Sequence, residues 1–283
     1  MKKYSIKNLA ILLCVLLIAA CDDDNKRPDA IKGSLPKLTI DESADFLIQD
    51  ETFEGKVIVD LLFKDYPKDA NVVVQKNGDN KTVKVLKKNV TTFPQTVTVN
   101  TAILTDLFGE PMESGDYVEI GMDVLLDNGL WVPAFNEYGL SSSPQADQLP
   151  GSNPIVKFKA VCPLNLDAFV GKAEFEDGFW EETYDVTVER KSENVLVIKG
   201  IIKQDAPYGI LELTVDPARH TVSAEKMDYA PVLDGEDLKD FKDYVLSSIK
   251  GELNSCENEI DFSGTMSCDA GSFGTSTFSL KMK

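Results

Sequence analysis

From residue 56 to residue 282, apolar and polar side chains alternate with a period of two, in short runs broken by Gly, Pro, Asn and Asp. That period sends successive side chains to opposite faces of an extended strand, whereas a helix needs a period of 3.6. A chain patterned this way must cover one apolar sheet face and shield its strand edges, so it has to stack two sheets or close one on itself. The expected strands of the first half are 56–63, 72–75, 82–86, 96–99 and 116–126, rich in β-branched residues. Turn signals at Asn77-Gly78-Asp79-Asn80 and Asp127-Asn128-Gly129 separate them, the second suited to a hairpin. Only 101–108 reads as a short helix.

Short antiparallel strands at this spacing predict a β-sandwich of immunoglobulin or fibronectin type III style over residues 36–160. Within it, 139–154 is polar, rich in Pro and Gly and without period, as a long loop or a linker would be. Because 155–160 again alternates, the domain boundary is set near Val161. The second domain, 161–283, opens with one short helical turn in 162–171. Strands are then expected at 172–175, 182–190, 195–200, 209–215, 221–225, 244–254, 260–268 and 275–282. About eight consecutive strands suffice for an up-and-down barrel without free edges. The stretches CPLNLDAFVGKAEF, LELTVDPARHTVSAEK and DFSGTMSCDAGSFGTSTFSL together resemble the calycin-like (lipocalin-like) barrel modules that end many Bacteroidetes-type surface lipoproteins. Those motifs are strand and turn chemistry, so the resemblance implies a fold rather than a function. The expected class is therefore all-β, a sandwich followed by a barrel.

The N-terminus supplies an address. Lys2, Lys3 and Lys7 precede an apolar stretch, 9–17, of signal-peptide length and too short to cross a bilayer. Ala19, Ala20 and Cys21 then resemble a bacterial lipobox, although Ile18 stands where Leu is commoner. The resemblance implies that 1–20 is a signal peptide and that Cys21 becomes an acylated N-terminus, carrying palmitate-type chains. Two or more such chains anchor firmly where one is marginal. Asp22, Asp23 and Asp24 follow; an acidic cluster there resembles the signal that sends such lipoproteins to the outer face of the outer membrane, the plainer alternative being a solvated spacer. Residues 21–35 read as a lipidated, mobile tether.

A formal charge of −18, from 47 acidic against 29 basic residues, argues against nucleic acid as a partner. Beyond Cys21 the mature chain holds Cys162, Cys256 and Cys268. In an oxidising compartment three thiols suggest one bridge and one spare. Cys256 and Cys268 sit near opposite ends of an expected strand, roughly 26 Å apart, whereas a bridge needs Cα atoms within about 7 Å. Cys162 must then pair with one of them; Cys256, in the turn 254–258, is favoured, with fully reduced thiols as the alternative.

No catalytic constellation is legible. The single histidine, His220, lies in a Pro-containing turn and reads as a surface residue, leaving a Ser-His-Asp triad without a base. There is no HExxH, no CxxC and no glycine-rich phosphate loop, so no metal and no cofactor is expected. Glu174, Glu176, Glu181 and Glu182 cluster in AEFEDGFWEETYD, but so acidic a chain makes such clusters cheap, and a solvated face explains them. The acidic stretch 234–243 lacks an EF-hand pattern and reads as a short helix.

Aromatic rings are the remaining candidates, since a flat ring stacks on the apolar face of a pyranose while Asp, Asn or Glu takes its hydroxyls. Trp131, with Phe135 and Tyr138 in DNGLWVPAFNEYG, forms one candidate ligand-binding group, and Trp180 with Tyr184 a second. The expectation is a non-catalytic surface lipoprotein that binds or presents a ligand, best a glycan. This resembles accessory lipoproteins of glycan-uptake systems, with an outer-membrane transporter complex as candidate partner. The alternatives are a lipocalin-like carrier of an apolar small molecule and a structural or adhesive surface subunit.

Overall fold

The computed structural model describes residues 34–62, 67–144, 148–203, 208–229 and 241–283. The expected signal peptide, Cys21 and most of the expected tether lie outside the described residues, as does most of the acidic stretch expected to be helical. Among the described residues no helix is long and apolar enough to cross a membrane.

The first half is a two-sheet sandwich. One sheet has the order β1 (Pro36–Ile40), β3 (Glu54–Leu61), β6 (Gln95–Asn100). The other runs β2 (Leu47–Ile48), β9 (Val156–Ala160), β7 (Tyr117–Leu125), β4 (Asp69–Lys76), β5 (Lys84–Lys87), with β8 (Trp131–Val132) paired to β7. All pairs are antiparallel except β2 with β9. Alternation decides the faces: Val57, Val59, Val97 and Val99 from one sheet meet Val72, Val74, Val118, Ile120 and Phe158 from the other. The expected helix is present as α1 (Thr101–Phe108), with the Asn100 side chain accepting from the Ile103 amide at its start and Gly109 left-handed at its end. The Asp127-Asn128-Gly129 turn joins β7 to β8, with the Gly129 amide donating to the Leu126 carbonyl.

The second half is a closed antiparallel barrel in sequence order: β10 (Gly171–Asp177), β11 (Glu182–Ser192), β12 (Val195–Lys199), β13 (Ile210–Asp216), β14 (Thr221–Asp228), β15 (Val245–Asn254), β16 (Glu259–Cys268) and β17 (Gly271–Met282). Pairing of β10 with β17, from Ala173 opposite Met282 to Asp177 opposite Phe278, closes it. A bulge in β15, with Ser248 at φ 55°, shifts the register so that both Leu246 and Ile249 point inward. The lumen is filled. Phe262 and Phe278 stack with centroids 5.1 Å apart, and Phe175 lies 6.0 Å from each. Leu166 and Phe169, in a 3-10 turn (Leu166–Phe169), are buried against the same core.

The modules meet at the start of the barrel. Cys162 and Cys256 form a disulfide with Cα atoms 5.1 Å apart, leaving Cys268 free. Lys159 pairs with Glu252 at 3.0 Å, and the Arg219 guanidinium lies 3.9 Å from the centre of the Phe46 ring. His220 belongs to this region and is not on the surface. It is 3% exposed, because the turn before β14 folds back so that the His220 carbonyl accepts from the Leu253 amide. Its Nδ1 is 3.4 Å from Ser255 Oγ, which itself donates to the Cys162 carbonyl at 2.5 Å.

Candidate functional site

The segment between β8 and β9 does not leave the sandwich. It folds back over the outer face of the second sheet. Pairing of Phe135 with Ser141, and the Asn136 amide donating to the Leu140 carbonyl, shape residues 134–142 into a small hairpin. Its tip is pinned. Asn80 Nδ2 donates to the Asn136 carbonyl at 2.5 Å, and Gln75 Nε2 donates to the Gly139 carbonyl at 2.6 Å. Gly139, at φ 74°, sits so near the Gly78 carbonyl that a Cβ would lie 1.7 Å from its oxygen. No larger residue fits at this contact. Farther along, Asn153 exchanges hydrogen bonds with Leu38 through its carbonyl and its Nδ2.

Between this roof and the sheet lies a groove of about 610 Å³, within the range of small-molecule sites. Its floor is the outward face of β7 and β9, with Tyr117, Glu119 and Lys157; its walls come from Asn77 and Gly78, from 138–141 and from 152–155. Lys157 Nζ is 4.0 Å from the Tyr117 ring centre and 3.0 Å from a Glu119 carboxylate oxygen. Glu119 also accepts from Gln75 Nε2 at 2.8 Å, while Gln75 Oε1 and the Ser152 hydroxyl are buried without a hydrogen-bond partner. Of these two, Ser152 belongs to the groove wall, whereas Gln75 is wholly buried and does not line it.

Of the first aromatic group, the groove uses only Tyr138, which stands at its rim and is 75% exposed. Trp131 is 42% exposed on β8, opposite Leu125, and does not line the groove. Phe135 is buried: its ring packs over Gly121, where a Cβ would come within 3.4 Å of Phe135 Cζ. It therefore holds the roof down and offers no face to a ligand. The floor residues Tyr117, Glu119 and Lys157 escaped the sequence reading. Their parity on the strands marked them as outward, but nothing local announced that a segment twenty residues away would cover them.

The second aromatic group lies at the barrel end far from the sandwich. Trp180 is half-buried, edge-on to Phe179 at 4.6 Å, with its indole N–H lacking a partner. Tyr184 points into the lumen and is closed to a stacking ligand, because it shares inward parity with Val186 and Val188. Its hydroxyl donates to Asp177 at 2.9 Å and accepts from the Ile202 amide at 2.8 Å. Asp177 is wholly buried and also accepts from the Phe179 and Trp180 amides. Loss of water raises its carboxyl above the usual aspartate range, and burial beside that carboxyl raises the Tyr184 phenol. Glu174, Glu176, Glu181 and Glu182 face solvent, whereas Asp177, overlooked among them, is inward by the same alternation that buries Ala173 and Phe175. The Tyr229 hydroxyl, buried near this pair, has no partner.

Fold and groove together define an all-β, two-module protein: a sandwich that carries a roofed polar groove, and a closed eight-stranded barrel with a packed lumen. No protein-family model and no curated protein matches the chain.

Proposed function

We propose that this protein is a lipid-anchored lipoprotein of the outer membrane, exposed on the cell surface, that binds a glycan without transforming it, as an accessory of nutrient uptake beside an outer-membrane transporter. The address rests on the lipobox-like Ala19-Ala20-Cys21 and on Asp22, Asp23 and Asp24. The observation that carries the binding role is the roofed groove. It sets an exposed Tyr138 ring at the rim of a polar floor holding a carboxylate, an ammonium and a phenol, which is how a sugar's apolar face and its hydroxyls are both met. The filled lumen counts against the alternative of an apolar carrier, since Phe175, Phe262 and Phe278 occupy the space that a cargo would need.

Two measurements test the reading. Labelling with radioactive palmitate should mark the wild type and not Cys21→Ala, and Cys21→Ala should leave the membrane fraction; a labelled variant would remove the anchor. On an array of plant, microbial and host polysaccharides the mature chain should retain a glycan, and Tyr138→Ala should lose at least about tenfold in affinity, the equivalent of 1.4 kcal/mol. Retention unchanged by Tyr138→Ala would move the site elsewhere.

A further inference from the structure

Strand β9 floors more than one cavity. Its residues Lys157 and Lys159 point outward while Val156, Phe158 and Ala160 point into the sandwich, and Ile155 and Val161 continue the outward row at either end. Ile155 and Lys157 line the roofed groove. Lys157, Lys159 and Val161 line a second cavity, also about 610 Å³, whose far wall is the barrel turn from Leu253 to Glu257. Tyr117 and Lys157 belong to both. The two cavities thus adjoin along a single strand face, sharing the Tyr117 and Lys157 pair, as a trough whose floor from Ile155 to Val161 extends roughly 20 Å at the usual strand rise.

Its charge is one-sided. In the second cavity Asp116, Glu252, Glu257 and Asp261 face two lysines. Both lysines are already engaged, Lys157 with Glu119 and Lys159 with Glu252, each at 3.0 Å. A polyanion would meet carboxylates with no cation left to pair with it, and like-charge juxtaposition is costly. Resting on the glycan reading above, we propose that the occupant is a linear, uncharged polysaccharide lying across both modules, from the Tyr138 rim to the Cys162–Cys256 junction. The disulfide then has a binding role as well as a structural one, because it fixes the barrel wall against the sandwich floor.

Affinity electrophoresis of the mature chain in gels containing xylan, mannan, laminarin or dextran, against polygalacturonate or chondroitin sulfate, gives the first readout. Retardation is expected with a neutral polymer and not with either polyanion. Hydrolysis fragments of the retained neutral polymer, titrated by calorimetry, should gain at least about tenfold in affinity from trimer to hexamer. Glu252→Lys, on the exposed barrel wall, should weaken the hexamer and spare the trimer, whereas Tyr138→Ala should weaken both. Preference for a polyanion, or affinity that does not grow with length, overturns the trough while leaving a glycan-binding groove intact. No retardation by any polymer overturns both.

Discussion

The two modules spend their apolar residues differently. In the barrel, successive strands are neighbours and every inward position feeds one packed lumen, so the outer wall is bare strand surface. In the sandwich, most strand neighbours are not consecutive in sequence, and the connection from β8 to β9 is long enough to lay a second layer over a sheet already covered on its other side. A barrel that fills itself has no interior to offer; a sandwich with a surplus connection builds a groove from it.

Truncating a ring in each module should expose that difference most strongly. Phe262→Ala, inside the barrel, is expected to remove about 3–5 kcal/mol of stability by opening a cavity among Phe175 and Phe278. Urea denaturation would measure it; a loss under 1 kcal/mol would mean a loosely filled lumen. Replacing both Cys162 and Cys256 by serine should cost about 2–4 kcal/mol, since the bond closes a sequence separation of 94 residues. Its signature would be a barrel and a sandwich that melt apart.

Acidity should separate the two barrel ends, with opposite signs. At the sandwich-facing end, burial depresses His220 below its ordinary 6.5. The unfolded chain therefore binds the proton more readily, and stability present above that pH is lost as pH falls through the depressed value. At the far end Asp177 is raised above 3.8, so the folded state holds the proton longer and stability declines as pH climbs from about 4 through the raised value. Thermal melts of His220→Phe and Asp177→Asn across this range should each flatten one limb and leave the other. The smallest effect is reserved for Tyr138→Ala, expected to stay within about 0.5 kcal/mol of wild type in stability because the ring is exposed. If it unfolded the sandwich, the residue would be structural.

All eight barrel strands, most sandwich strands, the helix and the disulfide were legible in the sequence, because period-two alternation and turn residues are local signals and Cys reach is a matter of chain geometry; β1, β2 and β8 were not expected, two of them being only two residues long. What alternation cannot supply is what covers an outward face. Tyr117 and Lys157 were visible as outward residues, yet the fold-back of Phe135 onto Gly121 is a contact between segments whose patterns are silent about each other. His220 was misplaced for the same reason: a Pro-containing turn reads as exposed until the Leu253 amide from a strand thirty residues later closes over it. Tyr184 was the avoidable error, since the parity that buries Val186 and Val188 was already in view.

The bond at Cys162 also changes what a protease can achieve. A single cut between residues 163 and 170 would sever the only peptide path from sandwich to barrel, yet the barrel would stay attached through Cys256. Shedding this module takes a reductant as well as a blade.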